Sequence, residues 1–152
     1  MSDPLIFDSA TPRFALPLLY AGQAQKEAFV NEALERVDAI LHCCISGETT
    51  TPPTAANDGD AWIVGATATG DWAEHDGALA IRQGGGWTFI APRDGMRVYD
   101  QAARQERFFA GAWKKATLPV ELLGGSTVDG EARAAIIDLV SALQALGIFP
   151  TA

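Results

Sequence analysis

Three consecutive glycines, Gly84 to Gly86, separate two short apolar runs at residues 78–83 and 87–91. Glycine reaches the positive φ that tight hairpin turns demand, so this arrangement commits the chain to an antiparallel hairpin at that point. The pattern continues on both sides. Residues 61–64 form a further apolar run that opens the sheet, and residues 96–100 and 107–110 make a second hairpin around the polar link QAARQE. Gly111 then introduces Trp113, and Lys114 and Lys115 close the block. Short runs bounded by Gly, Asp and Asn are the signature of a compact meander. Along the second strand of the glycine hairpin Trp87, Phe89 and Ala91 share one face, and Thr88 and Ile90 share the other. The intervening GATATGDWAEHDG is too polar and glycine-rich for a strand and reads as a loop carrying Trp72.

The flanks have a different period. From Gln23 to His42, good helix formers surround Val30, Leu34, Val37 and Leu41, spaced four, three and four. Phe29, Ala33 and Ile40 widen that stripe. It covers about two heptads, too few for an independent coiled coil, which needs about three to four. The stripe therefore faces either the core of its own domain or the inside of a symmetric oligomer. Gly47 and the polar, proline-containing stretch after it read as a loop leading to the sheet. After Gly124 and Gly125, Ser126 or Thr127 with Asp129 and Glu131 supplies capping oxygens and negative charge for a helix start. Ala132, Ile136, Leu139, Leu143 and Leu146 then recur at helical spacing until Gly147 and Pro150 end the run. This second helix is also too short to be stable alone and must dock. Residues 1–20 hold Pro4, Pro12 and Pro17 among Leu5, Ile6, Phe7, Phe14, Leu16, Leu18 and Leu19. Proline withholds an amide donor and favours extended neighbours, so an apolar arm lying against its own domain or a partner subunit is expected. The fold class is thus α+β: a small antiparallel β-meander flanked by an N-terminal and a C-terminal amphipathic helix, with an extended apolar arm in front. In domain terms this gives an arm over 1–22, a helix and meander over 23–118, and a linker with an oligomerisation or docking helix over 119–152.

At 152 residues the chain is one domain with room for a hydrophobic core. Its net charge of −8 argues against nucleic acid or an anionic membrane surface as partner. No apolar run is long enough to span a bilayer. The first residues lack the basic and apolar regions of a secretory signal, so folding in the cytoplasm is expected. Cys43 and Cys44 are adjacent, a placement from which a disulfide strains the peptide between them, and they read as reduced residues packed at a helix end.

Candidate chemistry is sparse. Asp71, Glu74, His75 and Asp76, near Asp58 and Asp60, contain metal-ligating and acid–base groups, yet their spacing matches neither the calcium loop nor the H-E-x-x-H zinc pattern. Aspartate before glycine is also what tight turns require. His42 has no sequence neighbour suited to catalysis. With no nucleophile elbow, phosphate loop or dinucleotide fingerprint, no catalytic, metal or cofactor-binding residue is assigned. Trp62, Trp72, Trp87 and Trp113 have three possible roles: core packing, a subunit interface, or stacking on sugar rings.

The runs LPLLYAGQAQKEAFVNEALERVDAIL and GDAWIVGATATGDWAEHDGALAIRQGGGWTFIAPRDGMRVY resemble DUF2793, a bacterial family, over about residues 5–115. Members of that family look like structural modules of prophages and phage-like gene transfer agents, often at the front of tail-fibre or spike proteins. The resemblance implies a non-enzymatic spike or fibre base, or an adaptor, made in the cytoplasm and assembled into a released virion-like particle. It implies contacts with capsid or tail proteins and with a separate fibre protein, since no fibre region follows the module before Ala152. A homotrimer or other cyclic homo-oligomer is expected, with Leu16, Leu18, Leu19, Val30, Leu34, Val37, Leu41, Ile136, Leu139, Leu143 and Leu146 as its interface. The alternative is an adhesion module whose tryptophans stack on host capsule or other surface polysaccharide.

Overall fold

The computed structural model describes residues 11–13, 16, 18–19, 26–120 and 129–151. It is an α+β fold of two helices and eight short strands. Helix α1 spans Lys26–Ile40. Strands β1 (Cys44–Ile45), β2 (Glu48–Thr49), β3 (Ala61–Val64), β4 (Leu79–Gln83), β5 (Gly86–Ile90), β6 (Arg97–Asp100), β7 (Gln105–Phe109) and β8 (Trp113–Lys115) follow, and helix α2 spans Gly130–Ala145. The helices and hairpins lie where periodicity puts them. Of the arm, Leu5, Ile6, Phe7, Phe14, Pro4 and Pro17 lie outside the described residues, as do Gln23, Ser126 and Thr127.

The expected single antiparallel meander is in fact two sheets of four strands, ordered β1-β6-β7-β8 and β2-β3-β4-β5. They share one plan: a two-residue strand runs parallel to the first member of a three-strand antiparallel meander. The two short strands belong to one stretch, residues 43–50, which changes partner half-way. Its first half pairs with β6, where Tyr99 N–H donates to Cys43 O (2.9 Å) and Gln101 N–H to Ile45 O (2.9 Å). Its second half pairs with β3, where Ser46 N–H donates to Ala61 O (2.8 Å), Ile63 N–H to Gly47 O (3.0 Å) and Gly65 N–H to Thr49 O (2.8 Å). These residues, expected at a helix end and in a loop, pair into sheet instead, and two-residue strands have no alternation that a sequence pattern could show.

Alternation on β3, β4 and β5 separates two cores. Ala61, Ile63, Leu79 and Ile81 point inward and join Ala39, Cys43, Ile45 and Val98, with Ile90, Met96 and Trp113 at the margin. The opposite side of the same sheet carries Val64 and Ala80 under Trp72, flanked by Trp62, Trp87 and Phe89. A three-residue 3-10 turn, Gly70–Trp72, drops the Trp72 ring onto this face. Its centroid lies 5.0 Å from that of Trp87, edge to face at 86°, and 6.3 Å from that of Trp62. The Gly84 and Gly85 φ angles of 56° and 77° bear out the glycine hairpin.

Trp72 is fully buried and its indole N–H has no hydrogen-bond partner among the described residues. Trp72→Ala is therefore expected to cost about 3–5 kcal/mol of folding free energy. Trp72→Phe, which keeps an apolar ring and gives up no hydrogen bond, should retain more than half of that in urea unfolding; equal losses for the two variants would refute this account of the loop.

Candidate functional site

Helix α1 sits with its polar side inward. Asp38 and Ala39 are buried and Asn31, Leu34 and Glu35 are half-buried, whereas Val30, Val37, Ile40 and Leu41 are exposed and Phe29 is 77% exposed. The reason is a set of long-range hydrogen bonds to the arm. Thr11 Oγ1 donates to Asp38 Oδ1 (2.7 Å) and Arg13 N–H to Asp38 Oδ2 (3.0 Å). The Arg13 guanidinium closes the end of the helix by donating to the carbonyls of Asp38, Ala39 and His42, each at 2.8 Å. Those C-terminal carbonyls have no partner within the helix and attract positive charge. Two turns earlier, Asn31 exchanges two bonds with the backbone of Leu19, at 2.8 and 3.0 Å. Gln83 Nε2 donates to Glu35 O (3.0 Å) and ties the helix to β4. The stripe of Val30, Val37 and Leu41 thus faces away from the domain core, and the intramolecular reading of that stripe is corrected. Leu16, Leu18 and Leu19 of the arm are half-buried.

Helix α2 contains no buried residue. Asp129 caps its start by accepting from Ala132 N–H at 2.9 Å, a role that Asp129 takes among the candidates its sequence offered. At the other end Gly147, with φ of 70°, turns the chain so that its carbonyl accepts from Glu106 N–H (2.6 Å) at the margin of β7. This contact anchors the C-terminal turn on the outer side of the sheet, beside Tyr99. The seam is open: Ile136, Leu139 at 59% and Leu146 at 71% are exposed, while Leu143 is half-buried.

The four tryptophans divide by role. Trp72 has no ring face available to a ligand, which corrects its place among sugar-stacking candidates. Trp113 packs edge-on against Phe109 and donates its indole N–H to Gly77 O (2.8 Å), joining the two sheets. Trp62 and Trp87 are half-buried on the outer face of the β3–β5 sheet, their centroids 5.7 Å apart, and the Arg82 guanidinium lies 5.3 Å from the Trp87 centroid.

The acidic loop does not converge on a ligand position. His75 stacks flat on Phe89, with centroids 3.7 Å apart. The Asp76 carboxylate accepts from Thr67 N–H (2.7 Å) and Ala68 N–H (3.0 Å). Among the described residues no group of three or more His, Cys, Asp and Glu side chains is placed to hold a metal ion. Where the shared stretch leaves β6, a cleft of about 570 Å³ opens, lined by Glu48, Thr49, Asp100, Arg107 and Lys115 among others. Its buried charges answer each other. Arg107 donates through Nε to Asp100 Oδ2 (2.8 Å) and lies 2.7 Å from it through Nη2, with Glu48 Oε2 at 3.3 Å from Nη1. Burial pushes the Cys43 thiol up to about 11, against the opposing pull of Arg13 and with a further push from Cys44. A thiol so placed is a packing group at neutral pH.

The family described as a protein of unknown function, DUF2793, matches residues 30–114, more than half of the chain. The chain belongs to the DUF2793 family. No curated protein matches it. In this DUF2793 protein the matched span begins within α1 and ends within β8, so it takes in both sheets and leaves α2 beyond it. No helix among the described residues is long and apolar enough to cross a bilayer.

The two backbone bonds to Asp76, from Ala68 and then Thr67, hold its carboxyl below the ordinary value of 3.8. A depressed folded-state value means that the stabilisation is complete above the unfolded value and fades as pH falls through the folded one. Asp76→Asn is expected to lower the melting temperature at neutral pH, and the gap to the parent protein should close as pH drops below 3.8. A gap of unchanged size at about pH 2 would refute the role given to the ionised carboxylate.

Proposed function

We propose that this DUF2793 protein is a structural module that assembles into a cyclic homo-oligomer and serves as the base or adaptor of a spike or fibre in a phage-like particle. The observation that carries this reading is the pair of helices with apolar residues turned outward. A helix displaying Phe29, Val30, Val37 and Ile40, and another displaying Ile136, Ile137, Leu139 and Leu146, leave in water a surface that association would cover. Each such side chain, fully buried, contributes about 1.5–3 kcal/mol. On α2, Ala135, Val140 and Ala142 flank the seam where a two-stranded coiled coil would place charges, which favours a helix touched on more than one side. The family resemblance to prophage and gene-transfer-agent modules supports the particle context, with capsid or tail proteins and a separate fibre protein as partners. On this reading the protein is made in the cytoplasm and released with the particle.

Light scattering at micromolar concentration is expected to give a mass that is an integral multiple, three or more, of 16.1 kDa. Leu139→Glu together with Val37→Glu should reduce it to the single-chain mass while the melting curve stays cooperative. A single-chain mass for the parent protein defeats the proposal. Particles lacking the protein should lose a discrete projecting density in electron micrographs.

A second reading, adhesion to surface polysaccharide, is favoured by one observation: Trp62 and Trp87 are partly open on a single sheet face beside Arg82. If it holds, Trp87→Ala abolishes binding on a panel of capsular polysaccharides with the fold intact, and a parent protein that binds none of them removes it.

A further inference from the structure

The two sheets share a plan but not a charge. Residues 43–92, which contain the β2–β5 sheet and the short β1, carry six acidic side chains and a single basic one, Arg82. Residues 93–116, which contain β6, β7 and β8, carry six basic side chains and three acidic ones. The first stretch is therefore −5 and the second +3, within a chain of −8.

Burial sharpens this contrast. Asp100 is buried against Arg107, so that pair is hidden inside. Arg93, Arg97, Arg104, Lys114 and Lys115 remain exposed. Strand alternation and register then arrange three outward residues in a row: Arg97 stands opposite Phe108, and Phe108 opposite Lys114. The Arg97 guanidinium lies 5.1 Å from the Phe108 centroid and is held from the side by Glu106 at 2.7 Å. A groove of about 250 Å³ runs along this row as far as Ile148 of the C-terminal turn. The result is a basic face with exposed aromatic surface from Phe108 and Tyr99. On the other sheet, the outer face has the matching character. Its half-buried Trp62, Trp87 and Phe89, with the Arg82 guanidinium over the Trp87 ring, sit under a loop that exposes Asp71, Glu74 and Asp76.

We infer that the basic outer face of the β6–β8 meander in one copy docks on the acidic, aromatic outer face of the β3–β5 sheet in a second copy. Opposite charges at a rim around apolar contact steer association and fix its register. Because the two faces differ, the contact is head-to-tail, and repetition of such a contact closes a ring when its rotation permits. The occupant is a second copy because the acidic complement lies on this same chain, on a sheet of the same topology. This inference rests on the assembly reading above and specifies how neighbouring copies meet; the open helix faces are left for contacts elsewhere in the ring.

Charge reversal tests it. One variant carries Arg97→Glu and Lys114→Glu, a second carries Asp71→Lys and Glu74→Lys, and a third carries all four. All of these positions are at the surface, and thermal melts check that each variant folds. Sedimentation at low and high salt should show self-association weakened at least tenfold in the first and second variants. It should be regained in the third, and the first two mixed in equal amounts should associate with each other. Exposed charges are screened within about 10 Å at 0.1 M salt, so the parent assembly should also weaken as salt rises. If the parent protein assembles but neither two-site variant weakens it, the docking inference fails and the assembly reading stands. If both weaken it and neither the four-site variant nor the mixture recovers, the pairing of these two faces is likewise overturned. A parent protein that is a single chain under every condition defeats both.

Discussion

The architecture turns on eight residues, 43–50, whose backbone serves two sheets in succession. The first half pairs with β6 and the second half with β3, and Ile45 at the change-over is wholly buried between the meanders. Backbone donors and acceptors removed from water must find partners, so the path of this stretch fixes where both sheets begin and how they lie against each other. Its sidechains alternate accordingly, with Cys43 and Ile45 inside and Cys44 and Glu48 toward the outside. The cleft at the divergence is the geometric outcome of that parting. Arg107 spans it, bound to Asp100 on one sheet and Glu48 on the other, so a charged pair seals a place that apolar packing leaves open. Removing one partner of such a buried pair leaves an uncompensated charge, which is strongly destabilising.

The hairpins were legible in the sequence because their signals are local. A run of glycines, alternation over five residues and a capping aspartate each act within one turn or one strand. The shared stretch was not legible, because its two-residue strands owe their existence to parallel partners fifteen to fifty-five residues further on. The same holds for the orientation of α1. Its spacing marks an apolar stripe, yet which side meets the domain is decided by Asp38, whose partners Thr11 and Arg13 lie 27 and 25 residues earlier. No periodicity reports a carboxylate whose burial is made possible by a distant hydroxyl and a distant backbone amide.

The candidate surfaces were legible in the same uneven way. Helical spacing alone marks Ile136, Leu139 and Leu146 as one apolar seam, and all three are exposed. Tryptophan content alone did not separate the buried Trp72 from the half-open Trp62 and Trp87, since indole rings occur equally in cores and at interfaces. The opposed charges of the two meanders are visible in the residue list only once the strand order groups them. Net charge averages them away, and a value of −8 conceals a basic sheet.

The Gly147 carbonyl has a bearing on how this molecule avoids the wrong kind of polymer. A strand at the margin of a sheet offers a ladder of unsatisfied amides to any passing chain, the route by which β proteins grow into fibrils. Here β8 is three residues long and two of them are lysines, and just past its end the Glu106 amide is already taken by Gly147. That margin is short, charged and partly stoppered by the protein's own C-terminal turn. Copies can thus be brought together at high local density with strand-by-strand accretion discouraged along that border.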